Sequence, residues 1–459
     1  MKSLALTCLL AALSFTFAQQ THLVSSQGPH TSVQSAVDVA ADGDIVRVQA
    51  GTYLERVVIE QSIALIGEPG AVLDAGGEGT AVTIRAPGTR VEGLEIRNSG
   101  RILEREDGGI RVDRAAGTEI VRNHLEDVLF GVDIRQSDGT QVIDNVIIGK
   151  DLSQSMRGDG IKLWYSHDVL MQGNEVRRTR DVIIWYSRGT HFIDNLVIDG
   201  RYGLHYMYAQ DGIFAQNRFV NSAVGSYVMY TQNISIKQNI FTGSHDIVGY
   251  GLAFKDADDI WVTDNLMVGN YSGLHFDNTP SWPGSEVVIE GNVIAGNGVA
   301  MSWLPNVGPA LWTNNSFFRN STIAQMHGAG AKVPFRWAEN GRGNYWDDYV
   351  GFDGGQGIGA VPHRIVRHVD VLLSDKPGAQ FLTHSPVFAA LSVAERAVPA
   401  WTPRVLLEDP APLLKPVIPE HFKGSREIDT TTGLLAAGLA VLAISVTGSV
   451  CYRGGVRTQ

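Results

Sequence analysis

Two thioethers and an imidazole, Met207, Met229 and His205, fall where a strand-built fold brings them to one face. Alternate residues of an extended strand share a face about 6.6 Å apart, and neighbouring strands lie about 4.8 Å apart. His205 and Met207 meet the first relation. Met207 and Met229 meet the second if GLHYMYA from Gly203 and GSYVMYT from Gly225 are successive coils of a stack. Flexible thioethers with an imidazole select Cu(I) and suit calcium or magnesium poorly. Trp185, one repeat earlier in the methionine column, stands where an indole shields such an ion or offers its π face. His275, further along the histidine column, is a second or transit ligand. The competing reading is packing, because a stripe of Met and aromatic side chains also covers a stack or docks a partner chain.

Those columns come from a repeat. GIKLWYS from Gly160 and DVIIWYS from Asp181 superpose on the two segments above, and GLAFKDA from Gly251 and GLHFDNT from Gly273 follow in weaker form. One alternating set is apolar apart from Ser226: Ile161, Val182, Leu204, Leu252 and Leu274, then Leu163, Ile184, Tyr206, Val228, Phe254 and Phe276. That set is the expected core. The other set, expected outside, has Trp164, Trp185, Met207 and Met229 in one column and Lys162, Ile183, His205, Tyr227, Ala253 and His275 in the next.

An Asn recurs as Asn98, Asn123, Asn145, Asn174, Asn195, Asn217, Asn239, Asn265, Asn292 and Asn315, at spacings of 21 to 29 residues. That is the period of a β-helix, in which stacked Asn side chains bond along a ladder while tolerating a left-handed turn. A short amphipathic helix, residues 32–41, caps the start of the stack. The regularity fades after about Phe318. The expected organisation is a signal segment over 1–18, a β-helix with its N-terminal cap over 19–343 and a C-terminal cap over 344–385. A proline-rich docking extension over 386–429, a membrane-spanning helix over 430–452 and a cytoplasmic tail over 453–459 complete it.

The start, MKSLALTCLLAALSFTFAQQ, has the Lys, apolar run and small-residue exit of an export signal. The 23 uncharged residues between Asp429 and Arg453 are long enough to span a bilayer. Arg453 and Arg457 behind them suit an inside C-terminus. The only cysteines, Cys8 and Cys451, lie in those two apolar segments, so the body between them forms no disulfide or thiolate site and a soft-metal ligand must be Met or His. The net charge of −11 leaves no basic stripe for nucleic acid.

Enzymes also use this architecture. Hydrolase or lyase chemistry needs paired carboxylates, or a carboxylate-bound calcium with a base nearby. Asp159 with Lys162 and the run Lys255, Asp256, Asp258, Asp259 are the acidic candidates, the run being read as a solvated turn. The GDG at Gly158 lacks the His and Arg-Lys elements of a polygalacturonase signature. The expectation is therefore a non-enzyme, with a β-helix polysaccharide lyase, epimerase or hydrolase, or a metal-free docking platform, as alternatives.

Three stretches carry a family resemblance. GDIVRVQAGTYLERVVIEQSIALIGEPGAVLDAGG near the start, NYWDDYVGFDGGQGIG from Asn344 to Gly359, and the tail pieces SPVFAAL and DPAPLLKP (Asp409 to Pro416) resemble the NosD family. The resemblance implies a right-handed parallel β-helix of the carbohydrate-binding and sugar-hydrolase type, located in the periplasm. It implies a protein that takes copper from a lipoprotein chaperone, works with the permease and ATPase of an inner-membrane ABC transporter, and serves assembly of the copper-sulfur centre of nitrous oxide reductase. Gly354, Gln356 and Ala360 replace the Asp that family members often carry in the cap loop, which removes carboxylate ligands there. The apolar tail, which that role does not require, implies a tethered variant.

Overall fold

The computed structural model describes residues 19–246, 248–327, 334–367, 385–386 and 404–422. The expected signal segment and the apolar segment with its tail lie outside the described residues. Among the described residues, no helix is long and apolar enough to cross a membrane.

The chain winds as a parallel β-solenoid. Each coil contributes short strands separated by tight bends, as in Ile161–Trp164, Leu170–Gln172 and Glu175–Arg177, before the next coil opens at Asp181–Trp185. One face alone stacks 13 strands, which sets the number of turns at about 13. Equivalent positions pair directly from coil to coil: Trp164 with Trp185, Trp185 with Met207, and Met207 with Met229. The apolar set read from the sequence fills the interior, with Ile161, Leu163, Ile184, Leu204, Tyr206, Val228, Phe254 and Phe276 fully buried. Parallel strands with both ends closed by bends need no intervening helices.

The asparagine ladder differs from the expectation at both ends. Asn98 is not a rung. The coil below Asn123 offers Leu94, whose backbone N–H donates to Asn123 Oδ1 at 3.1 Å, while Asn98 bonds Asp74. The last rung is Asn344, on which Asn315 closes with N–H and Nδ2 donations of 3.1 and 2.8 Å. The ladder side chains point into the core, so their own backbone stays regular. The left-handed bend falls one residue earlier, at Asp144, Asp194, Gln216, Gln238 and Asp264. Each rung is saturated. Asn217 Nδ2 donates to Phe192 O at 2.7 Å and to Asn239 Oδ1 at 2.9 Å, and its Oδ1 accepts from Asn195 N and Nδ2 at 2.9 and 3.0 Å. A second ladder runs through Asn270, Asn297 and Asn320.

The N-terminal helix is shorter than expected, Val33–Val37, with Ser32 Oγ accepting from Ser35 N. Glu55 takes the N–H groups of Val33 and Gln34 at 2.7 and 2.9 Å and so tethers the cap to the first coils. At the other end the coils continue past Phe318, with Thr322–Met326 pairing on Val299–Trp303 and Tyr345–Trp346 on Ser316–Phe318. Residues 404–422 then fold back over the chain's own stack. Arg404–Asp409 pairs antiparallel with His363–Arg367, and Asp409 accepts from Asn344 N and Trp346 Nε1 at 2.7 and 2.9 Å.

Replacing Asn217 by Ala strands buried groups on the adjoining rungs. We expect a loss of about 2 kcal/mol or more, read as a lowered urea midpoint; an unchanged midpoint would show that the ladder is ornamental to stability.

Candidate functional site

The register assembles the stripe as two adjacent columns. The first runs Arg111, Asp133, Lys162, Ile183, His205, Tyr227, Ala253, His275 and Ser302. The second runs Arg135, Trp164, Trp185, Met207, Met229, Lys255 and Asp277. Met207 and Met229 are therefore vertical neighbours, with His205 beside Met207 and Trp185 one rung below. Both methionines are half-buried.

Pointing outward does not expose the histidine column. His205 is only 7% exposed and Ile183 is buried. Tyr202 at the entry of the same strand folds over His205, with ring centres 5.0 Å apart and nearly perpendicular. Arg201 lies over the Tyr202 ring at 4.5 Å, and Tyr202 also packs edgewise on Tyr227. Trp185 closes another side of the His205 ring at 5.5 Å. Both His205 ring nitrogens are buried without a hydrogen-bond partner, as is Trp185 Nε1. Asp181 Oδ2 lies 3.6 Å from His205 Nδ1, a charge contact longer than a hydrogen bond. Burial pushes the Asp181 carboxyl up, and His205 and Arg201 outweigh it, leaving the group below its usual range.

Beside the methionine column stands a ladder absent from the sequence reading. Tyr165, Tyr186, Tyr208 and Tyr230 stack face to face, 4.9 to 5.2 Å between ring centres. Tyr165, Tyr208 and Tyr230 are exposed, Tyr186 is half-buried, and all four adopt the left-handed backbone, at φ of 47° to 53°. That conformation costs a bulky residue roughly 1–2 kcal/mol, which mutual stacking offsets in part.

Below the soft residues the same columns turn ionic. Asp133, Asp159 and Asp181 are buried, and each is bonded to arginine. Arg111 and Arg135 reach Asp133 at 3.1 and 2.8 Å, Arg180 reaches Asp159 at 3.1 Å and Arg201 reaches Asp181 at 3.0 Å. Lys162, weighed as a partner of Asp159, ion-pairs with Glu106. The run after Lys255 lies within the long strand Tyr250–Thr263, which bends there through the left-handed residues Asp256 and Asp259. Asp258 is buried there because its carboxylate holds the following loop, accepting from Ser281 N and Trp282 N at 2.8 and 2.9 Å. Lys255 pairs with Asp277 at 2.8 Å. These carboxylates are committed to structure.

His275 does not join His205, Met207 and Met229. Two rungs, Tyr227 and Ala253, intervene, placing it about 14 Å along the stack at about 4.8 Å per rung. It meets instead His327, which sequence reasoning passed over because the repeat was not extended beyond Phe318. Residue 327 follows Met326, in the register position after Trp303, and that alignment was the signal available. Among the described residues, no cluster of three or more His, Cys, Asp or Glu is placed to hold a metal, so any metal chemistry rests on thioether and imidazole.

What the fold and this stripe define is a parallel β-helix solenoid with a partly covered histidine–methionine face. The profile of the NosD family, described as periplasmic copper-binding protein, matches residues 143–351. A protein of Pseudomonas aeruginosa described as probable ABC transporter binding protein NosD is 33% identical over 374 residues, covering 78% of this chain and 86% of its own length. One of the same description from Stutzerimonas stutzeri is 30% identical over 391 residues, covering 80% and 86%. The chain belongs to the NosD family. Among solved structures, the A-module of the Azotobacter vinelandii mannuronan C-5 epimerase AlgE6 aligns with a TM-score of 0.50 at 15% identity, over 67% of this chain and 94% of that module. That likeness is one of fold.

Burial pushes the Asp159 carboxyl up to about 7; Arg180 and Lys162 oppose the shift and Asp181 adds to it. A folded-state value above the ordinary 3.8 means that the stability tied to the protonated group is complete below about 3.8 and lost as pH rises through about 7. Asp159→Asn mimics the neutral form at every pH. Its melting temperature relative to wild type should therefore rise steadily from pH 4 to pH 7, and a constant difference over that range would contradict the buried-acid assignment.

Proposed function

We propose that this chain is a periplasmic copper-handling accessory protein that carries Cu(I) as cargo between His205, Met207 and Met229, shielded by Trp185. The observation that carries the reading is the state of His205: a buried imidazole with neither nitrogen hydrogen-bonded and only a 3.6 Å charge contact from Nδ1 to Asp181, beside two half-buried thioethers in register. A buried imidazole without hydrogen bonds is costly unless another ligand completes it. Thioether with imidazole favours Cu(I), and two flexible Met side chains let the ion arrive and leave without rearranging the backbone. The family description as copper-binding supports the metal, and the names of the two relatives support an ABC transporter as partner. In this reading the protein receives copper from a chaperone lipoprotein and passes it toward assembly of the copper-sulfur centre of nitrous oxide reductase. It is not an enzyme, a reading supported by the arginine held on each buried carboxylate of the stripe.

Titration of the protein with Cu(I) against a competing chelator tests the site. Met207→Leu with Met229→Leu keeps the volume and apolar character while removing both sulfurs. The double variant should lose at least about tenfold in affinity at this site, about 1.4 kcal/mol, with Trp185 fluorescence quenching by copper lost in parallel. Unaltered affinity would remove the site, and depolymerisation of a uronic-acid polymer by the wild-type protein would overturn the non-enzymatic reading.

A further inference from the structure

His275 is 5% exposed and is built into its place from three sides. Tyr250 stacks flat on the ring, 4.2 Å between centres and 6° between planes. Ser302 Oγ lies 2.9 Å from Nδ1, and the bonds behind it leave its oxygen free to accept from an Nδ1–H. Ser302 Oγ is 3.1 Å from Ser272 Oγ, which donates at 3.0 Å to Leu274 O. The Ser302 hydroxyl also lies 3.4 Å from Leu274 O, so both hydroxyl protons have a carbonyl acceptor and neither is needed by His275. With its proton on Nδ1, His275 presents Nε2 as a lone-pair donor, the arrangement common for metal-ligating histidines.

The neighbour across from it is a second imidazole. The ring centres of His275 and His327 lie 6.1 Å apart, with planes at 64°. Burial holds both groups below the usual histidine range, His275 down to about 4, so both are neutral ligands at neutral pH. With metal–nitrogen bonds of about 2.0 Å, two imidazoles sharing one ion have ring centres roughly 5 Å apart at a tetrahedral angle and roughly 6 Å apart when nearly collinear. The observed spacing matches the collinear case, which a monovalent d10 ion accepts and tetrahedral Zn²⁺ does not.

We propose that His275 and His327 form a second copper(I) site, made of two neutral imidazoles and separate from the His205–Met207–Met229 site. Ser302 positions the ring, and Tyr250 limits its rotation. The proposal stands whether or not the thioether site binds copper.

The test is Cu(I) titration of the full protein and of the Met207→Leu, Met229→Leu double variant against a competing chelator, with copper K-edge absorption on the loaded double variant. We expect the double variant to retain one Cu(I) with two nitrogen neighbours and no sulfur. In that background His275→Gln or His327→Gln should abolish the remaining equivalent, and Ser302→Ala should weaken it about 10- to 100-fold. Circular dichroism of each variant checks that the solenoid is intact. No Cu(I) on the double variant, sulfur in its copper shell, or a stoichiometry unchanged by both histidine substitutions would each overturn the proposal. The thioether reading fails by a different result, full affinity in the double variant with sulfur-free copper in wild type as well.

Discussion

Every column in this molecule depends on in-register parallel stacking, and the asparagine ladder is what holds the register. A strand that slips by one residue carries its apolar side chains to the outside and its polar ones to the core. From Asn145 to Asn315 each rung receives two donations on one carboxamide oxygen and passes its amide to the next rung and to a strand carbonyl. Slipping any coil would leave several buried polar groups without partners at once. The apolar interior supplies the driving force for stacking, and the ladder makes one offset between coils far better than its neighbours.

Given that register, chemistry can be distributed along the helix axis one residue type at a time. The column through His205 is ionic at Arg111, Asp133 and Lys162, soft and aromatic at His205 and Tyr227, small at Ala253, and imidazole again at His275. The ionic stretch is closed on itself by arginines, so its carboxylates offer no hard-metal cradle. The soft stretch is partly covered by Tyr202 and Trp185 rather than open to water. That cover matters for the copper(I) site proposed above, because sulfur and imidazole need not compete with bulk water there. It also explains why a stripe of Met, Trp and His is tolerated on the outside of a solenoid.

The coil grammar was legible in the sequence because alternation has a period of two and the repeat supplies many copies of the same statement. The interior residues and the vertical pairing of Met207 with Met229 follow from that alone. The exact rungs were not legible at the ends. Asn98 has the right letter but sits at a left-handed bend, and Asn344 was hidden by an irregular stretch. The run after Lys255 looked like a turn because acids cluster in turns, whereas Asp258 is buried to hold a loop from the next coil.

By itself the sequence determined which residues face in, which face out, and which share a column, since these depend only on alternation and repeat length. It also carried the family, through motifs spread over most of the body. Only the tertiary structure decided what covers the outward face and who meets across columns. Tyr202 folds over His205 from its own strand, Ser302 bonds His275 from the next rung of the same column, and His327 is brought opposite His275 by the path of the coils. A pattern of alternation cannot encode the last of these contacts, because the path of a bend is set by packing against neighbouring coils and not by its own residues.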